Sequence, residues 1–247
     1  MQINQKVCRI VRPENWIRPQ GGALFALVTW TWAPSLRYVP PMTDNFLDKV
    51  YRVSGNDGMR DLYNAWAGKY DQDILKTGYA TPRRVAEALA AVLPDKDAPI
   101  LDFGCGTGLS GAALAEAGFT QIDGTDLSGE MLAVARNKGI YNKLWETDPS
   151  VPLPVKPGDY RAVTAIGVIS VGGAPASVYD DLLAILAPGD LLAFSLNDQS
   201  MAMDDYGGRL KRSIASGEVA VRFEEYGPHL AAHGENAGAT VYVLERL

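Results

Sequence analysis

Between Ile100 and Gly108 the chain reads ILDFGCGTG, a run that closes a short apolar segment and opens an Ala- and Leu-rich one. Gly104, Gly106 and Gly108 remove side chains from the bend, so the backbone can turn tightly and a ligand can lie against it. Asp102 stands two residues ahead of the first glycine, and Asp126 follows eighteen residues after the last, where a second strand should end. A carboxylate at that place can accept hydrogen bonds from both hydroxyls of a ribose. Two nucleoside cofactors suit such a bend, a nicotinamide dinucleotide and S-adenosylmethionine. Gly106-x-Gly108-x-x-Gly111 satisfies the dinucleotide pattern literally, but that pattern is weak alone. Charge separates the two. A pyrophosphate wants amides and no anion, whereas Asp102 at the strand's end would repel it and suit the ammonium of a methionine moiety. The glycines are also displaced: a dinucleotide fingerprint would start near the strand end, and Gly106 comes two residues after Gly104. The sulfonium compound is favoured and the dinucleotide stays as the alternative. Cys105, with no histidine near it in sequence, is read as a small residue whose backbone matters.

These residues need a frame, and the flanking pattern supplies one. Pro99 to Phe103 reads as a buried strand, Leu109 to Ala117 as a helix closed by Gly118, and Thr120 to Thr125 as a second strand. Ser128 caps a helix running to about Lys138 and ended by Gly139. Tyr141 to Thr147 and Tyr160 to Ile166 are expected as the third and fourth strands, Ser177 to Leu186 as a helix, and Leu191 to Leu196 as the fifth strand. Val219 to Tyr226 and Ala239 to Glu245 can pair as a terminal hairpin. Upstream, residues 43 to 76 read as helical, with Leu62, Trp66 and Tyr70 at four-residue steps, and Thr81-Pro82 opens another helix that Pro94 stops. Strand–helix alternation predicts an α/β fold, a doubly wound, mostly parallel sheet with helices on both faces. Ligands then bind beyond the carboxyl ends of the strands.

Composition narrows the partners. The net charge is −6 and no run of Lys and Arg forms a basic patch, so nucleic acid is not an expected partner. Arg209, Lys211 and Arg212 read as one solvated helix face. Two cysteines, Cys8 and Cys105, make no disulfide framework or metal cluster, which suits a reducing, cytoplasmic compartment. The first 41 residues differ from the rest: five basic residues against Glu14 give +4, which leaves −10 on the other 206, and three of the five tryptophans lie there. Their apolar run, Gly21 to Ala33, is too short to span a bilayer. It superficially matches a secretory signal, but no small-x-small cleavage site follows. The expectation is an extension with no fold of its own, disordered or non-native, ahead of a single domain over 42–247; a targeting segment and an ordered arm are the alternatives. Mass spectrometry of the native N-terminus decides among them.

ILDFGCGTG followed by IDGTDLSGEMLAVAR resembles motifs I and II of class I S-adenosylmethionine-dependent methyltransferases, over roughly residues 60 to 200. LYNAWAGKYDQDILKTGYATP, AEAGFTQIDGTDLSGEML and GIYNKL are similar to the methyltransferase-like proteins of the Williams–Beuren region and their bacterial relatives. The resemblance implies a Rossmann-like, seven-stranded sheet with a reversed final strand, built from a helical lid over 42–98 and a core over 99–247. It implies that Asp102, Gly104, Cys105, Gly106 and Gly108 surround the methionine part and Asp126 the ribose, while Leu127 and Met131 cover one adenine face. Thr147 or Asp148 would meet the adenine edge, Ile166 and Gly167 would lie beside the sulfonium, and Tyr70 and Tyr79 would close over the cofactor. Met131, Trp66 and Tyr70 can equally be packing residues.

The acceptor is less legible. No (D/N)PP(Y/F) tetrapeptide follows the fourth strand, where AIGVIS stands instead, and a small-molecule acceptor is expected, with a protein side chain next. Ile169, Val171, Gly172 and Gly173 either line a pocket or connect strand to helix. His229 and His233 are read as surface residues; Asn197 and Asp198 are better placed to touch an acceptor. No catalytic base, metal site, membrane contact or oligomeric state is assigned. A nicotinamide-dependent oxidoreductase, for which no Tyr-x-x-x-Lys is evident, and a non-catalytic binding module remain as alternatives.

Overall fold

A computed structural model describes residues 56–231 and 238–247. In chain order its elements are α1 (Asn56–Trp66), α2 (Tyr70–Lys76), α3 (Thr81–Val92), β1 (Ile100–Phe103), α4 (Leu109–Glu116), β2 (Ile122–Asp126), α5 (Gly129–Asn137), β3 (Leu144–Glu146) and β4 (Ala162–Ala165). There follow α6 (Val178–Ala184), β5 (Leu191–Asn197), α7 (Asp198–Met201), a π-helical turn (Asp204–Gly208), α8 (Arg209–Ala215), β6 (Val219–Pro228) and β7 (Gly238–Arg246). Ile100, Leu101 and the whole of β4 are buried. Side chains enclosed on both faces of a strand require a sheet covered twice.

The seven strands lie in the order β3-β2-β1-β4-β5-β7-β6. β1 to β5 run parallel, and β7 is antiparallel to both neighbours. This is the doubly wound sheet that the alternation predicts, with the reversed strand that the resemblance implies. Val85, Leu89, Leu114, Ile122 and Val241 pack one face; Leu101, Val163, Leu182, Phe194 and Leu244 pack the other. The chain steps outward from β1 through β2 to β3, then returns to β4 on the opposite side. The crevice between the ends of β1 and β4 is therefore the place for a ligand.

Local chemistry sets the helix boundaries. α3 begins with Pro82 in its first turn and buries Val85, Ala86, Ala88 and Leu89. The Oγ of Ser128 accepts the Met131 N–H at 3.1 Å to cap α5. Two boundaries depart from expectation. The helical reading of 43–76 breaks after Trp66 into α1 and α2, and its residues before 56 lie outside the described set, as does the boundary at 41/42. The third strand is only Leu144–Glu146, because Tyr141 turns inward beneath the glycine loop instead of extending the ladder. β6, at the sheet's border, carries an irregular register between Val221 and Phe223 that sets Arg222 out of the pairing.

Candidate functional site

The loop from Gly104 to Gly108 leaves β1 and enters α4. The Gly106 N–H donates to Asp126 Oδ2 at 2.9 Å, and the Ser128 N–H donates to Oδ1 at 2.9 Å. Each oxygen retains a lone pair, so the carboxylate is aimed by the backbone and still able to take two hydroxyls. Burial raises the Asp126 pKa, and the N–H groups of Ser128, Gly106 and Leu127 work against that rise. Gly106 has φ +54°, and a Cβ built there would meet nothing within 4 Å, so open space adjoins the backbone beside Asp126. Gly104, at φ +69°, has no such room: a Cβ would run into the side chain of Val168, which follows β4. The two loops at the switch point touch through that missing side chain.

Asp102 does not face this space. It is fully buried, and its oxygens accept hydroxyls from Ser110 at 2.6 Å, Tyr141 at 2.8 Å and Thr164 at 2.8 Å. Burial pushes its pKa up to about 6, with the three hydroxyls holding it down and Asp126 adding to the rise. The role expected from charge, repelling pyrophosphate and receiving an ammonium, has no direct contact to act through; Asp126 is the acid beside the opening. Asp102 instead ties the sheet to the underside of the loop. Tyr141 reaches it across Gly111 and Gly124, where a Cβ at either position would collide with the phenol ring. The Gly111 N–H donates to the Tyr141 hydroxyl at 3.1 Å.

Above the loop lie α1 and α2. The Ser128 hydroxyl donates to Asn64 Oδ1 at 2.6 Å, fastening α1 to the start of α5. Trp66 and Tyr70 meet edge-on with centroids 4.6 Å apart. Burial raises the Tyr70 pKa well above the ordinary phenol value, with Tyr79, Tyr63, Asp126 and Asp71 adding to it. Burial likewise raises Tyr79, with Tyr63 and Asp102 behind it. The Tyr79 hydroxyl lies against Gly167, where a Cβ would collide with it. Tyr70 and Tyr79 thus converge with Asp126 and Gly167 on one end of the sheet.

His229, read as a surface residue, is instead packed edge-on against Tyr79 with centroids 5.4 Å apart, and its Nδ1 lies 2.7 Å from Thr81 Oγ1. Burial lowers its pKa to about 4, Arg84 assists, and Asp198 opposes, so the ring is neutral at pH 7. The Ala80 N–H donates to the His229 carbonyl at 3.0 Å, which joins segments about 150 residues apart.

The other expected residues divide. Leu127 is half-buried at the turn after β2, whereas Met131 is 1% exposed and belongs to the interior. The Thr147 N–H donates to the Asp126 carbonyl at 2.9 Å. Asp148 is exposed and accepts the Ser150 N–H at 2.8 Å; its hydrogen bonds with Ser150 hold its pKa below the usual carboxylate value. Ile166 is buried and Gly167 exposed, the Gly167 N–H donating to Ser195 Oγ at 3.2 Å. Cys105 is buried, and burial drives its thiol pKa up, which leaves it inert. Asn197 caps α7 and Asp198 accepts from Gly238 N–H, so both are occupied structurally. Ile169 bridges to Ala174 across a compact turn. His233 lies outside the described residues. Sequence reading missed Tyr141 and Asp71, which GIYNKL and WAGKYD flagged only as resemblance, and it set His229 on the surface.

A methyltransferase-domain family model matches residues 100–189, from the start of β1 to the turn before β5. Methyltransferase-like protein 27 of Homo sapiens is 36% identical over 158 residues, 60% of this chain and 64% of that protein. Over this stretch the chain is similar to class I S-adenosylmethionine-dependent methyltransferases. The ubiquinone biosynthesis O-methyltransferase of Bordetella pertussis is 33% identical over 100 residues, 39% of this chain and 41% of that enzyme. The 18S rRNA (guanine-N(7))-methyltransferase of Bos taurus is 36% identical over 99 residues, 40% of this chain and 33% of that enzyme. The chain thus spans less than two thirds of the length of each of these relatives. Magnesium protoporphyrin IX methyltransferase from Synechocystis PCC 6803, solved with bound S-adenosylmethionine, shares the fold at TM-score 0.51 and 15% identity, covering 82% of this chain and 90% of that one. The nicotinamide alternative gains no support from these matches.

Proposed function

We propose that this methyltransferase moves the methyl group of S-adenosylmethionine onto a small-molecule acceptor. The observation that carries the reading is the Asp126 carboxylate, fixed by two backbone N–H groups beside the open flank of Gly106. Asp126 would take the ribose hydroxyls, Leu127 and Thr147 would border the adenine, and Gly104 to Gly108 would back the methionine portion. Tyr70 and Tyr79 would cover it. When bound, the cofactor supplies an activated methyl group for an in-line displacement. The protein's own part is then chiefly alignment and exclusion of water, and alignment alone can contribute ~7–11 kcal/mol. Tyr79, held against Gly167 by its contact with His229, would screen the end of β4 where the acceptor enters.

Small size for the acceptor is argued from charge. Two basic side chains among the described residues are already engaged: Arg84 donates to three backbone carbonyls and to Glu225, and Lys138 to Asp71. Neither of these two is left free for a polyanion. The O-methylating relative fits this reading and the rRNA-methylating one opposes it. No helix among the described residues is long and apolar enough to cross a membrane; a cytoplasmic setting and a single domain over 42–247 are parts of the same proposal. The test is incubation with methyl-labelled S-adenosylmethionine and a cell extract split into metabolite, RNA and protein fractions. Label is expected in the metabolites. Label confined to RNA or protein would overturn the acceptor class, and binding of the nucleoside with no transfer to any fraction would favour a non-catalytic module.

A further inference from the structure

Asp126 grips the glycine loop from one side, and a second carboxylate touches it from the cap. Asp71, the second residue of α2, accepts the hydroxyl of Thr107 and, at 2.7 Å, the ammonium of Lys138. Thr107 is 1% exposed and sits between Gly106 and Gly108, two residues at positive φ. Lys138 follows the last turn of α5. One side chain therefore joins three segments: the cap, the cofactor loop and the far end of α5. The Asn64–Ser128 bond ties α1 to the near end of the same helix. The cap straddles α5, and of the two ties the one through Asp71 reaches the loop.

We infer that Asp71 is a positioning residue, the clasp that keeps α1 and α2 closed over the loop and sets how fast a bound nucleoside leaves. This rests on the cofactor reading above. Tyr70 precedes Asp71 directly, so release of the clasp withdraws that phenol from the site. The ion pair with Lys138 is a quarter to a third exposed, and such pairs are individually weak. The charge-assisted bond to the enclosed Thr107 gives the clasp its specificity. A tie of this strength holds a cap and still opens on the timescale of substrate exchange.

The experiment loads the full chain with tritiated S-adenosylhomocysteine and follows its loss after excess unlabelled compound is added. Asp71→Ala and Thr107→Val should release it at least ~10-fold faster, the scale of one lost bond to a charged group. Thr107→Ser, which keeps the hydroxyl, should release it at the wild-type rate. In parallel, hydrogen exchange of the ligand-free proteins should quicken over residues 70–76 in Asp71→Ala and stay unchanged in β4 and β5. Equal release rates would overturn the role in retention. Cap exchange unmoved by Asp71→Ala would overturn the clasp whatever the nucleoside does. Wild-type protein that retains no S-adenosylhomocysteine, with cap exchange responding, would overturn the cofactor reading instead.

Discussion

A carboxylate whose two oxygens already accept backbone N–H groups is fixed in direction before any ligand arrives, and Asp126 is in that state. A ribose bound there, as proposed, would meet a rigid acceptor pair instead of ordering a mobile one. Asp126→Ala should weaken S-adenosylmethionine binding at least ~10-fold, since two bonds to a charged group are lost. Calorimetry reads this directly, and an unchanged Kd would remove Asp126 from the site. Asp102 and Asp126 were equally visible in the sequence, but their roles were not. Which acid is left beside open space depends on what covers the other one. Ser110, Thr164 and Tyr141, which cover Asp102, lie 8, 62 and 39 residues away. Tyr141 could not be placed from local pattern at all: in sequence it looks like a strand residue, and only the paired absences at Gly111 and Gly124 make room for its ring.

At the scale of elements, the glycine loop depends on two different properties of one residue. Gly104 adopts φ +69° and also vacates the volume that Val168 fills. Alanine there would bear the left-handed cost of ~1–2 kcal/mol plus the collision. Gly104→Ala should therefore destabilise the fold, and Val168→Ala in the same chain should return part of the loss by removing the collision alone. Urea denaturation of both singles and the double variant measures the coupling; strictly additive effects would mean the two loops do not press on each other. Strands β1, β4 and β5 were legible because each is a short, largely apolar run between a helix end and a turn, whereas β2, reading IDGTD, was placed by Gly118 before it and the Ser128 cap after it. The break between α1 and α2 was not, since the four-residue stride of Leu62, Trp66 and Tyr70 persists across it. Aromatic contact between Trp66 and Tyr70 survives the break, so spacing alone gave no sign of it.

For the whole molecule, acid titration links the interior to the site. An unfolded histidine takes its proton near pH 6.5, but in the fold His229 resists until about 4. As pH falls through that window the unfolded chain gains a proton that the native state refuses, so stability is lost. Asp102 acts with the opposite sign: the fold keeps its proton up to about pH 6, so its contribution is lost as pH rises through that value. The wild-type stability minus that of His229→Gln isolates the first effect. That difference should be level above about pH 7 and shrink steadily toward pH 4, as read from denaturation midpoints across the range. A level difference throughout would mean that Tyr79, Thr81 and Arg84 do not enclose the ring as described.

Arg222, pushed out of register in β6, also has a consequence beyond this chain. Among the described residues this strand is an outer border of ten residues that would otherwise offer a continuous ladder of amide donors and acceptors to any foreign segment of extended backbone. A one-residue misstep there puts such a visitor's bonds out of phase after a few positions, while Pro228 withholds a donor at the end. Straightening that border by deleting Arg222 would make the protein prone to filamentous self-association.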